Sequence, residues 1–397
     1  MLETIAGGLS FPTSLAIDDD GGLYVAESGL PFGGAPPGGR IWRFDPSGRR
    51  TLLVENLRPP VNGLTLHEGR LYVSEGGSPA RISHFDLQGK NQTVILDNLP
   101  GPGNYHTNMV AFGPDGKLYF SQGAMTNTGI IGLDAYELGW LRRLPHGHDL
   151  PGYNIVLTGL NVETRNPLSP DEDAMVSTGA FVPFGEHTIP GQRITAQLPC
   201  TASVMRCNPD GSDLELVAWG LRNAYGLGFL SDGRLLAVDQ GADDRGSRPV
   251  GNAPDMLFEV KRGAWYGWPD FIGDVPITDP RFQPERGQKP GFLLANHADL
   301  PAPETPLLRF PSHTAAVKFD VAPESYSESS QASQASQPSQ WSGQLFVALF
   351  GDEVPMTAPS GPKVGRSVVR VDPSDWSMHP FVQEGLLRPI DVCFGPA

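Results

Sequence analysis

Residues 12–29 read PTSLAIDDDGGLYVAESG: an apolar strand, an acidic-glycine turn, a Leu-Tyr-Val strand and a Glu-Ser-Gly exit. The phrase returns as VNGLTLHEGRLYVSEGG (61–77), TNMVAFGPDGKLYFSQGA (107–124) and AYGLGFLSDGRLLAVDQGA (224–242). A fifth copy, TAAVKFDV...WSGQLFVALFGD (314–352), is split by an insert, and a sixth begins as PIDVCFGPA and stops at Ala397. Between copies lie two further alternating strands joined at a turn, clearest in GRIWRFDPSGRRTLLVENL (39–57) and ARISHFDLQGKNQTVILDNL (80–99). Four strands per unit, recurring every roughly 45 residues where no insert intervenes, is the signature of a β-propeller blade.

The expectation is therefore an all-β chain forming one domain over 1–397, a six-bladed propeller of four-stranded blades. Residues 2–9, LETIAGGL, resemble the outer strand TLLVENL and are expected to close the ring as the outer strand of the last blade. That blade's two middle strands, about 25 residues by the repeat period, are missing after Ala397, so it is expected to be incomplete. Two inserts interrupt the pattern. Residues 125–199 fall between the second and third strands of blade three, carry a helical turn in LDAYELGWLRRL, and have the length of a lid or binding wall. Residues 323–341 are Ser/Gln low complexity with too little apolar surface to fold, hence a disordered loop.

Composition agrees with short strands and turns: of 397 residues, 48 are glycine and 39 proline. The net charge of −15 leaves no basic stripe for nucleic acid or an anionic membrane. No run approaches the roughly 18 apolar residues of a spanning helix, and the N-terminus lacks the features of a secretory signal. Cys200, Cys207 and Cys393 form no metal framework; Cys200 and Cys207 read as unpaired buried thiols, with pairing in an oxidising compartment the alternative.

Aligning the copies on the residue that ends the first strand, and counting back six, selects Phe11, Pro60, His106, Asn223, His313 and Arg388. Innermost strands line a propeller's channel, so these residues converge on one mouth. A neutral imidazole there is a general base near pH 7, and Arg222 and Arg388 bind carboxylates or a developing oxyanion through forked hydrogen bonds. The loop from Asp239 to Asp244, including Asp243, offers oxygens suited to Ca²⁺, although acidic loops are more often solvated without metal. Water-mediated bridging between blades is the purely structural alternative for the mouth residues.

The stretch 220–244, GLRNAYGLGFLSDGRLLAVDQGADD, followed by KRGAWYGWPD (261–270), resembles the soluble glucose/sorbosone dehydrogenases, the pyrroloquinoline quinone (PQQ) dependent aldose dehydrogenases. YHTNMVAFGPDGKLYF and RPIDVCFGPA support the likeness, which touches half the chain. It implies PQQ and Ca²⁺ as cofactors, and oxidation of an aldose at the anomeric carbon to the lactone, with electrons passed to an acceptor in the periplasm or outside the cell. His106 resembles the catalytic base, Arg222 and Asn223 the pair flanking PQQ, and the carbonyls of Gly241 and Ala242 the Ca²⁺ ligands, with Asp243 and Asp244 beside them. Arg388, His313 and, more weakly, Lys363 are the further cofactor contacts. Departures are Ile390 where the family has a second arginine, Asp239 for Glu, Ala242 for Pro, and a remade loop, DDRGSRPVGNAP (243–254). A Ca²⁺-dependent lactonase-like hydrolase and a non-catalytic interaction propeller are the alternatives. Trp265, Tyr266 and Trp268 read as buried between blades before they read as a sugar-stacking wall.

Overall fold

The computed structural model describes residues 2–31, 34–323 and 341–395. Most of the Ser/Gln loop, 324–340, lies outside the described residues. Every expected hairpin forms, and each turn follows from its sequence. In the pair Ala224–Phe229 and Leu235–Asp239, Gly233 takes φ +89° and its N–H closes the turn on the Leu230 carbonyl at 3.0 Å. That backbone is left-handed, which glycine adopts without a Cβ penalty.

Five four-stranded antiparallel blades result. Blade one is Pro12–Ile17, Leu23–Glu27, Gly39–Phe44 and Arg50–Leu57, and blade two is Val61–His67, Arg70–Glu75, Ala80–Asp86 and Thr93–Leu99. Blade three pairs Thr107–Phe112 with Leu118–Gln122, then Ser203–Cys207 and Glu215–Trp219, so the long insert does fall between its second and third strands. A short strand, Ala264–Trp265, adds to its outer edge in parallel. Blade four is Ala224–Phe229, Leu235–Asp239, Met256–Glu259 and Leu308–Arg309; blade five is Ala316–Val321, Leu345–Leu349, Ser367–Val371 and Met378–Val382. The insert holds the expected helical turn, Leu133–Glu137. No helix among the described residues is long and apolar enough to cross a membrane.

The second strand of each blade is buried on both faces, which is why LYFSQ, LLAVD and LFVAL carry apolar residues without strict alternation. Facing blades share these side chains: Tyr24, Ile41 and Val61 meet Leu71 and Val73 between blades one and two, while Leu236, Val238 and Leu257 meet Leu345, Val347 and Leu349 between blades four and five. Trp265, Tyr266 and Trp268 are core residues, as their sequence context suggested. Cys200 and Cys207 are buried free thiols.

The ring's sixth position differs from expectation. Five blades form among the described residues, not six. Residues 2–10 make no strand, and the last repeat copy is irregular. An inner strand with no second strand to pair it leaves its backbone groups without a ladder. What this segment does instead is bridge blades five and one through its side chains. Asp391 Oδ2 accepts from Leu15 N at 2.9 Å and Ser14 Oγ at 3.0 Å, and stands 3.6 Å from Lys318 Nζ. Lys318, buried in the channel, also donates to the carbonyls of Thr13 and Asn62. Phe394 N donates to Asp320 Oδ2 at 2.7 Å. Asp391→Ala strips acceptors from Leu15 N and Ser14 Oγ and removes the counter-charge of a buried ammonium. It should destabilise the fold by about 1–3 kcal/mol and expose residues 384–395 to limited proteolysis; an unchanged melting temperature and cleavage pattern would contradict this bridging role.

Candidate active site

A cavity of about 370 Å³ is lined by chain around the innermost strands of blades three, four and five, with Leu30 of blade one and Ile390 at its rim. Its wall brings together six of the residues singled out from sequence: His106, Arg222, Gly241, Ala242, Asp243 and His313. Two places supply them. His106 and Arg222 stand just before innermost strands, while 241–243 leave the second strand of blade four. His313 holds φ +68°, a left-handed backbone that orients it into the cavity at some conformational cost. Irregular chain from blade five, including Phe350, Glu353 and Met356, forms the facing wall.

Four other candidates are not on that wall. Asn223 is turned into the protein, where its amide donates to Gln240 Oε1 at 2.7 Å and its Oδ1 accepts from Asn108. Arg388 lies behind the wall, with Nη1 2.9 Å from Glu353 Oε1, its guanidinium over Phe350 and a further bond to the Asp352 carbonyl. Lys363 is exposed and outside the lining. Asp244 faces the other side of its loop, accepting from Glu285 N at 2.7 Å, and its carboxyl is raised by burial.

Arg222, 3% exposed, is the hub of the site. Nε donates to the Asn127 carbonyl, Nη1 to the carbonyls of Gln240 and Gly241, and Nη2 to Asn127 Oδ1, Tyr105 Oη and Asp243 Oδ2, the last at 2.6 Å. Its guanidinium also stands 4.2 Å from the Tyr105 ring centroid. Every N–H direction of the fork is used. Arg222 therefore positions Asp243, Tyr105 and the 240–241 backbone, and contributes charge to the cavity, without a donor to spare for a ligand. Beneath it, Asp239 accepts from the backbone N–H groups of Arg222 and Asn223, and Asp255 from those of Gly241 and Ala316. Burial pushes these carboxyls up, Asp239 to about 7 and Asp255 to about 6.

His106 is held differently. Burial lowers its pKa to about 4, so the ring is neutral at pH 7. Its Nδ1 is buried and has no hydrogen-bond partner among the described residues. The backbone around it is crowded: a Cβ on Gly76 would lie 2.7 Å from His106 Cβ, and one on Gly123 would lie 2.5 Å from Tyr105 Cβ and 3.0 Å from His106 N. Gly123→Ala should therefore displace both wall residues. The expected result is a folded protein that loses most ligand binding, read by calorimetry and by the melting temperature; wild-type affinity in the variant would show that the 105–106 placement is not critical.

Of the loop oxygens expected to hold Ca²⁺, the Gly241 carbonyl and Asp243 Oδ2 are already in use. The Gly241 carbonyl accepts from Arg222, and Asp243 Oδ2 accepts from Arg222, Arg245 and Tyr105. Two guanidinium groups at one carboxylate repel a divalent cation, and no group of three or more His, Cys, Asp or Glu suited to a metal occurs among the described residues. The residues as arranged do not fit Ca²⁺. A flat, anionic quinone such as PQQ is a better match, because the cavity carries a neutral imidazole, His106, and Arg245, whose Nη1 has no protein partner among the described residues.

Several residues of the site escaped sequence reasoning. Tyr105 and Asp255 carry no periodic signal that separates them from core. Asn127 comes from the insert, outside any repeat. Arg245 had one available clue, a basic residue within an otherwise acidic loop.

No protein-family model matches this chain, and no curated protein matches it. Solved structures do share its fold. An oxidoreductase of Thermus thermophilus, provisionally assigned as a glucose dehydrogenase, aligns with TM-score 0.53 and 17% identity over 99% of this chain and 90% of that one. A glucose dehydrogenase aligns with TM-score 0.54 and 13% identity, covering 96% and 89%. The soluble aldose sugar dehydrogenase of Escherichia coli, in its apo-form, aligns with TM-score 0.50 and 12% identity, covering 94% and 86%. Structures that share this fold thus include glucose and aldose sugar dehydrogenases, at identities that establish a common architecture alone.

Proposed function

We propose that the cavity is the active site of an oxidoreductase that oxidises an aldose or related sugar at its anomeric carbon to the lactone, with PQQ as its redox cofactor. The observation that carries this reading is His106: a neutral, unpartnered imidazole on the wall of a cavity that also presents a guanidinium. A neutral imidazole takes a proton from a sugar hydroxyl, and the carbonyl forms as the hydrogen on the same carbon leaves as hydride. PQQ, when bound, supplies the two-electron acceptor for that hydride. Asp243 and Tyr105, fixed by Arg222, line the same cavity, as do Met356 and Leu138. Shared architecture with sugar dehydrogenases accords with this reading, but the fold hosts many activities, so the site residues carry the reaction class. A location outside the cytoplasm, in the periplasm or secreted, and an external electron acceptor go with this reading. Ca²⁺ has no part in it.

The test is titration of the protein with PQQ followed by a dye-reduction assay on a panel of aldoses. Saturable PQQ binding with sugar-dependent dye reduction supports the reading. Well-folded protein that binds no PQQ at high micromolar concentration, or binds it and reduces dye with no sugar on the panel, overturns it.

A further inference from the structure

We infer that Arg245 makes this cavity a metal-independent binding site for a carboxylate-bearing ligand, its guanidinium standing where a divalent cation would otherwise be required. The inference rests on the cavity being the active site and names the group that the site recognises.

Arg222 and Arg245 both reach one carboxylate, Asp243 Oδ2, at 2.6 and 3.1 Å, and both donate to the Tyr105 hydroxyl. Arg222 is saturated. Arg245 is not: its Nε serves Asp243 and its Nη2 serves Tyr105, while Nη1 has no protein partner among the described residues. The side chain is 16% exposed, and it lines the cavity. A guanidinium with an unpaired edge on a cavity wall is a donor for planar oxyanions, since its fork matches a carboxylate.

Among the described residues Asp243 is the one acid hydrogen-bonded to Arg245. Asp239 and Asp255 point their oxygens at backbone N–H groups, and Asp134, 5% exposed, accepts from Asn104 Nδ2. On the facing wall Glu353 is paired with Arg388. Asp243 therefore takes the Nε edge of Arg245 and leaves Nη1 for a ligand. In a chain of net charge −15, an anion needs such a local cation to bind at all. Residues 243–245 place this guanidinium beside the very oxygens a metal would need, so the two modes of holding an anion exclude each other.

The probe is benzene-1,3,5-tricarboxylate, a flat aromatic anion, titrated calorimetrically into protein treated with EDTA, then into protein with millimolar Ca²⁺. Binding of equal affinity in both conditions is expected, with a loss of about tenfold or more in Arg245→Gln and no loss in Arg262→Gln, an exposed arginine paired with Glu215. Circular dichroism checks the fold of each variant; if Arg245→Gln does not fold, Arg245→Lys, which keeps the charge and loses the fork, carries the test and should bind more weakly than wild type. Absence of binding without metal, binding that appears only on adding Ca²⁺, or unchanged affinity in the folded Arg245 variant each overturn the inference. Tricarboxylate binding without any sugar oxidation would remove the proposed dehydrogenase reaction and leave the carboxylate site standing.

Discussion

His106→Ala should lower kcat for sugar oxidation by about 10²–10⁴-fold, the usual worth of a positioned general base, with little change in melting temperature. The imidazole makes no side-chain hydrogen bond that the fold depends on, since Nδ1 is unpartnered. PQQ affinity should change far less than kcat, because the ring carries no charge at neutral pH. The same residue sets a pH profile. Its pKa, lowered by burial to about 4 from the usual 6.5, keeps the basic form populated across neutral and mildly acidic pH. The acid limb of kcat/KM for the PQQ-loaded protein should therefore fall near pH 4, with the rate flat above it on that side. A limb near 6.5 would mean a solvated histidine or a different base.

Arg222→Leu should be the most destabilising single change at the site, by about 3–5 kcal/mol, the range seen when one partner of a buried ion pair is removed. The loss is larger than for a surface pair because the whole fork is committed. Asp243 would keep only Arg245 and Tyr105, and the carbonyls of Asn127, Gln240 and Gly241 would each lose a donor. The loop 240–245 and the insert at 127 should loosen together, as seen in hydrogen exchange, while blades one and two stay protected. Melting within a degree of wild type would show that the hub carries little of the site's order.

These expectations mark where the sequence was informative. Repetition of the LYV hairpin specified the blades, because a buried two-faced strand next to a glycine turn has few alternative structures. The sixth copy misled: PIDVCFGPA has the pattern of an inner strand, yet pattern alone cannot make a strand without a neighbour to pair it. Counting back six residues found His106 and His313 but selected Asn223 over Arg222 for the axis. A register shift sits at the head of the inner strand in all five blades, between Ala224 and Gly226 in blade four, so counting along the strand does not decide which of two neighbours lines the cavity. A bulge changes which of two neighbours faces the channel, and period-two counting cannot see it. The choice of Asp243 and Asp244 for a metal came from oxygen content in the loop, and that of the Gly241 and Ala242 carbonyls from the family resemblance. Both missed that Arg222, and Arg245 two residues beyond Asp243, fold back onto the Gly241 carbonyl and Asp243.

The most direct test of the dehydrogenase reading is dye reduction by the PQQ-loaded protein with each of a panel of aldoses, run beside the same protein carrying His106→Ala at matched PQQ occupancy. Turnover with at least one sugar that falls by about two orders of magnitude or more in the variant is the predicted result. Equal rates in the two proteins, or no turnover with any sugar although PQQ is bound, would contradict it.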